Sequence, residues 1–165
     1  MLGVLVFAGL SLWSHFVAGR VGLPLIYSAL LAVHEAGHVV LALFMSEAGV
    51  YGGTLFQLLF PVLFMHHAMQ RGQATALAAS GVWLGESLLG VAAYMADARA
   101  RNLSLVSFSG EGAHDWETIF SRWGLLQHDL VIANLTRAMA VLTMAASAGW
   151  LLVQWRTAAR PDPSP

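Results

Sequence analysis

The sequence predicts an all-α membrane protein, a polytopic transmembrane helical bundle of about five spans with a long loop before the last one. The chain has 165 residues, of which 58% are hydrophobic and 10% are charged, whereas soluble domains carry about 25% charged residues. A bilayer core about 30 Å thick needs roughly 20 apolar residues in helix. Five stretches reach that length: residues 2–19, 21–45, 50–69, 73–96 and 130–155.

The connections between these stretches predict how the spans are arranged. The link at 46–49 is very short, so the second and third spans should be antiparallel neighbours. The link at 97–129 is long and carries apolar residues at helical spacing, which predicts a short interfacial helix in it; these are Trp116, Ile119, Phe120 and Trp123. Five spans would make residues 1–157 one membrane domain with its ends on opposite faces, followed by a disordered tail at 158–165.

Charge and cysteine content exclude several classes of function. The net charge of −1 provides no basic field for nucleic acid. The low content of charged residues and the long apolar runs make the lipid bilayer the expected surrounding. The expected location is the cell membrane, as a multi-pass protein. The chain contains no cysteine, which excludes disulfides, thiolate metal sites and cysteine nucleophiles. Any metal site must therefore use histidine and carboxylate ligands.

A G-x-x-x-G pair in the fourth span, Gly81 and Gly85, predicts a close helix contact. The contact could lie within the chain or between two copies in a homodimer, and the sequence leaves both open.

The second span contains the motif His34-Glu35-Ala36-Gly37-His38. Residues four apart share one face of a helix, so His34 and His38 can offer two imidazole nitrogens to one metal ion. Glu35 lies beside them and could take a proton from water, the arrangement of zinc peptidases with an H-E-x-x-H motif. The alternative is a chance match in a helix with polar interhelical contacts. That alternative leaves a carboxylate in an apolar span, which costs roughly 2.5–3.5 kcal/mol.

The third metal ligand is not decided by the residues alone. A catalytic zinc usually has three protein ligands and one open position, and the candidates are Glu86, Asp97, His114 and Asp115. Depth in the membrane favours Glu86, which lies midway along the fourth span. For His114 and Asp115 the alternative is a helix start at the surface, with Asp115 as its cap. For Asp97 it is a pair with a nearby arginine.

Motifs across most of the chain resemble a family of bacterial multi-pass membrane proteins that carry an HEAGH motif. That family is more distantly similar to the site-2-protease-like intramembrane zinc metalloproteases. Besides HEAGH, the matching pieces are Gly52-Gly53-Thr54-Leu55 with Gln57 and Pro61, Trp83-Leu84-Gly85, Tyr94-Met95-Ala96-Asp97-Ala98-Arg99 and His114-Asp115-Trp116. Relatives often have an amide where this chain has Glu86. The resemblance therefore implies His114 and Asp97 as further metal ligands. The chain lacks the Leu-Asp-Gly and Asn-Pro-Asp-Gly contexts of site-2 proteases.

Two functions follow as expectations. The first is a membrane-embedded zinc-dependent hydrolase, a site-2-like metallopeptidase. In it, Glu35 acts as general base, Zn²⁺ is bound by His34, His38, His114 and Asp97, and the substrate is a membrane protein or peptide. The second is a non-catalytic metal-binding scaffold, or a small ion or proton transport component whose buried His and Glu relay charge. An open metal position that an extended peptide can reach would distinguish the first from the second.

Overall fold

The computed structural model describes residues 1–103 and 114–159, and every regular element in those two ranges is helical. The α-helices are α1 Leu2–Phe16, α2 Pro24–Phe44, α3 Gly49–Gln70, α4 Ala74–Ala96, α5 Asp115–Arg122 and α6 Asp129–Ala158, with 3-10 turns at Ser46–Ala48 and Leu126–His128. This confirms the predicted all-α bundle. The predicted tail falls partly outside the described residues, and its first residue, Ala158, still belongs to α6.

Four helical segments are long and apolar enough to cross a membrane, and they contain α2, α3, α4 and α6. The first predicted span, residues 2–19, is instead the 15-residue helix α1. At 1.5 Å per residue α1 is about 22 Å long, which is less than the thickness of a bilayer core. Gly19 has a positive φ of 63°, and the chain leaves the helix there.

Helices α2 and α3 form an antiparallel pair that crosses where two glycines meet. A Cβ added to Gly37 would lie 2.8 Å from the carbonyl carbon of Gly52, and a Cβ on Gly52 would lie 2.7 Å from that of Gly37. Because neither residue has a side chain, the two backbones touch directly. The close crossing brings the motif helix against α3.

Helix α4 is the centre of the bundle, with α3 and α6 as its main neighbours. A Cβ on Gly81 would lie 3.0 Å from the Cβ of Ser147, and one on Gly85 would lie 2.9 Å from the carbonyl oxygen of Ala140. The G-x-x-x-G pair therefore packs α4 against α6 within the chain.

The helix predicted in the long connection is α5, and its apolar face points into the bundle. Trp116, Ile119 and Phe120 are buried in a cluster with residues of α4 and α6, whereas Trp123 is exposed. His114 caps the start of the helix, and its Nδ1 accepts the backbone N–H of Glu117 at 3.3 Å. Burial of this face fixes the position of the residue that opens the helix, Asp115.

Candidate metal centre

The residues of the H-E-x-x-H motif form a compact polar cluster on α2. His34 and His38 lie one turn apart, and their ring centroids are 4.8 Å from each other. One ligand atom from each of His34, Glu35 and His38 lies within 4.8 Å of the other two, so the group could hold a metal ion. The two imidazoles therefore lie side by side on one face of α2.

Helix α3 orients both imidazole rings through their Nδ1 atoms. His34 Nδ1 lies 3.1 Å from Gln57 Oε1, and His38 Nδ1 lies 2.8 Å from the carbonyl oxygen of Gly49. The side-chain Nε2 of Gln57 donates to the carbonyl of Ser87 at 3.4 Å, which directs its Oε1 towards His34. Both partners of Nδ1 are oxygen acceptors, so each ring is oriented with its Nε2 towards the same point.

Asp115 supplies the third group at that point. Its Oδ2 lies 3.0 Å from His34 Nε2 and 3.1 Å from His38 Nε2. The His34 side chain is 8% exposed and the Asp115 side chain 12%, whereas the His38 side chain is 24% exposed. The centre is therefore closed around His34 and more open beside His38.

Helix α5 and Tyr94 hold Asp115 in place. The backbone N–H of Asp115 donates to the hydroxyl oxygen of Tyr94 at 3.1 Å, and Tyr94 is also near the ring of His34, with centroids 6.0 Å apart. Burial raises the pKa of the Asp115 carboxyl, but hydrogen bonds with His34 and His38 outweigh this effect and hold that pKa below its ordinary value. A carboxylate in this position is a suitable metal ligand.

Gly53 of α3 lies against both imidazoles and forms one wall of the centre. A Cβ added to Gly53 would lie 2.6 Å from His38 Nε2 and 2.6 Å from His34 Cδ2, and closer still to His34 Nε2. A side chain here would occupy the space into which both Nε2 atoms point. In the sequence, Gly53 stands out only as part of the Gly52-Gly53-Thr54-Leu55 piece, and its place at the imidazoles depends on how α3 packs on α2.

The structure does not bring His114 and Asp97 to the two imidazoles. Instead they face each other, with His114 Nε2 3.4 Å from Asp97 Oδ2. The Asp97 carboxylate accepts the backbone N–H groups of Asn102 and Leu103 at 2.8 and 3.0 Å, so it stabilises the turn after α4. Burial lowers the pKa of His114 although the Asp97 carboxylate acts in the opposite direction. Asp115, and neither of these two residues, lies at the imidazoles.

Glu86, the ligand favoured by depth, also lies away from the imidazoles. Its Oε1 accepts the backbone N–H of Leu23 at 3.0 Å, just before α2 begins. Arg137, which could have paired with it, donates to Asn134 at 2.7 Å. The carboxyl therefore has a structural partner in the backbone.

Asp115 is one of the four candidates from the sequence, and the pattern of α5 contains a further signal in its favour. On a helix, Asp115 and Ile119 share a face, and Ile119 belongs to the apolar side of α5, which is buried. The neighbouring His114 precedes the helix and points elsewhere, as its contact with Asp97 shows. Gln57 gave a weaker signal in the sequence, because it is an amide within the apolar run that follows the motif helix. In the structure it is buried.

The fold and the site define a helical bundle of membrane-spanning type with a His–Glu–His cluster able to hold a metal ion. Comparison of the chain with protein-family models, with curated proteins and with solved structures found no match.

Proposed function

We propose that the protein is a membrane-embedded zinc-dependent hydrolase of peptide bonds, with His34, His38 and Asp115 as metal ligands and Glu35 as general base. The motif resemblance supports a bacterial inner membrane as its location. The observation that carries the proposal is the number of acceptors around the two imidazoles.

A neutral imidazole has one N–H and one lone pair. His34 and His38 each have an acceptor at both nitrogens: Gln57 or Gly49 at Nδ1, and the shared Asp115 oxygen at Nε2. Without a cation, satisfying all four contacts requires at least one charged imidazolium in a largely buried site, which is costly. With a cation at the shared point, both rings stay neutral, donate from Nδ1 and offer Nε2 as a ligand.

The donor set favours zinc among the common metals. Two imidazole nitrogens and one carboxylate are a known ligand set of catalytic zinc, which keeps one further position open. Calcium and magnesium prefer oxygen ligands throughout. When bound, a zinc ion would polarise a carbonyl and lower the pKa of water.

In this proposal Glu35 is the general base and is not a metal ligand. It precedes Ala36 and Gly37 on the same turn as the two histidines and lies within 4.8 Å of their ligand atoms. Its carboxylate accepts a proton from the attacking water and then donates that proton to the leaving amine. Glu35 therefore acts first as general base and then as general acid.

The substrate in this proposal is a segment of a membrane protein. Helix α2 packs chiefly against α3, and much of its remaining surface is exposed and apolar, including Leu25, Val39 and Leu43. The more open side of the centre is that of His38. A polypeptide could therefore reach the centre from the bilayer.

The test combines metal analysis with hydrolysis in liposomes for wild type, Glu35→Gln and a control. Glu35→Gln should keep wild-type metal content and lose peptide hydrolysis, because it removes the proton acceptor and no proposed ligand. The control is Glu47→Gln, a change of an exposed carboxylate in the turn after α2. Undiminished turnover in Glu35→Gln would remove Glu35 from the mechanism. Metal bound without hydrolysis of any membrane peptide by wild type would favour the scaffold.

A further inference from the structure

Helix α1 packs in one of the two core clusters of the bundle. Its buried residues Val4 and Ala8 belong to a cluster whose α4 members are Ala78, Val82 and Leu89, from the start of α4 to just past its middle. The second core cluster, which surrounds α5, contains no α1 residue among the described parts of the chain. Helix α1 therefore follows α4 from the start of α4 towards its middle.

The segment between α1 and α2 lies against Glu86, near the middle of α4. The hydroxyl of Ser14 donates to the carbonyl of Gly22 at 3.0 Å, and a Cβ on Gly22 would lie 2.8 Å from Glu86 Oε1. Glu86 is separated from the start of α4 at Ala74 by twelve residues, about 18 Å of helix. The segment 17–23 thus meets α4 near its middle.

Helix α2 runs along α4 in the same direction as α1. Its first residues lie at Glu86, while His34, eleven residues after Leu23, lies near Tyr94 close to the end of α4. A hairpin of two full spans would place the α1–α2 link at one end of α4.

We infer that α1 and α2 form a single membrane crossing that is broken at residues 17–23, and that the buried Glu86 carboxyl of α4 holds the break together at the start of α2. Glu86 is 3% exposed. A helix N-terminus carries a partial positive charge and free N–H groups, so a carboxylate is the fitting partner for it inside a bilayer.

The break solves a hydrogen-bonding problem that any interrupted span has. Backbone groups in the bilayer core cannot bond to water, so non-helical chain survives there only where protein satisfies it. Ser14 satisfies the Gly22 carbonyl and Glu86 satisfies the Leu23 N–H. Arg20, the one charged residue of the segment, is exposed, and its long side chain can reach towards the headgroups.

This arrangement gives four crossings, in contrast to the five expected from hydropathy. The turn 46–48 lies at the α5 end of the bundle, because Arg122 of α5 donates to the carbonyl of Glu47 at 3.0 Å. Leu2 then lies at the opposite end, together with the α3–α4 turn at Arg71 and the end of α6 at Ala159. Five crossings would put Leu2 on the same side as Glu47.

Single cysteines test this directly, because the chain has none of its own. Cysteine replaces Leu2, Glu47, Arg71 or Ala159 in turn, all of which are exposed, in sealed vesicles treated with a membrane-impermeant maleimide. We expect Leu2, Arg71 and Ala159 to be labelled from one side and Glu47 from the other. A protease-cleavable tag before Met1 reports the side of the N-terminus independently of cysteine reactivity. Leu2 or the tag on the side of Glu47 would overturn the single crossing.

Hydrogen exchange tests the role of Glu86. In Glu86→Ala the Leu23 N–H loses its acceptor, so exchange of the Leu23 amide should become about tenfold faster. Glu86→Gln keeps an oxygen acceptor and should stay near wild type. Ser87→Ala is the matched control, since Ser87 is the buried neighbour of Glu86 and does not contact the break. Unchanged exchange in Glu86→Ala would show that Glu86 does not hold the break.

Discussion

Gln57 offers a sensitive test of how the metal centre is oriented, because it contacts the centre without being a ligand. Its Oε1 lies 3.1 Å from His34 Nδ1, and its own amide is held by Ser87 at 3.4 Å. In Gln57→Leu the ring of His34 loses its acceptor and the buried Nδ1–H has no partner. Loss of such an outer contact lowers metal affinity about 10- to 100-fold, equivalent to about 1.4–2.7 kcal/mol.

The assay is zinc affinity by chelator competition on purified protein in detergent, with thermal unfolding of the metal-free forms as a check on folding. Gln57→Glu is the matched variant, since its carboxylate retains an acceptor for His34, and its affinity should stay within a few-fold of wild type. Equal affinities for wild type and Gln57→Leu would refute the claim that Gln57 sets the tautomer of His34.

Two further substitutions separate the wall of the centre from residues that only lie near it. Gly53→Ala should lower zinc affinity at least tenfold, because its Cβ would lie 2.6 Å from His38 Nε2. The control is Gly149→Ala in α6, where an added Cβ meets open space. Equal zinc affinities of the two variants would show that Gly53 does not form a wall of the metal centre. His114→Ala should keep zinc affinity within a few-fold of wild type, because its contacts are with Asp97 and the α5 backbone; a loss comparable to that of His34→Ala would restore His114 as a ligand.

The helices and the histidine pair were predictable because they depend on local sequence. Long apolar runs identify α2, α3, α4 and α6, and a spacing of four places His34 and His38 on one face. The close contact between Gly37 and Gly52 was not predictable from local sequence. Only the packing of α3 on α2 shows which small residues meet.

The position of Asp115 at the imidazoles and the proposed broken crossing were not predictable in the same way. Asp115 reaches the imidazoles because the apolar face of α5 is buried against α4 and α6, a contact between segments distant in sequence. Hydropathy counts α1 as a span because its residues are apolar, and composition cannot show that the chain turns at mid-bundle. Glu86 is explained only by the backbone N–H that it meets there.

The most direct test of the metal centre compares Asp115→Asn with Asp97→Asn. Both variants replace a buried carboxylate by an amide of the same shape, at 8% exposure each, and both are purified beside wild type and analysed for bound zinc. If Asp115 is the third ligand, Asp115→Asn loses most of its zinc, as His34→Ala and His38→Ala should. Asp97→Asn keeps its zinc. Zinc retained in Asp115→Asn and lost in Asp97→Asn would contradict the assignment of Asp115 as the third ligand.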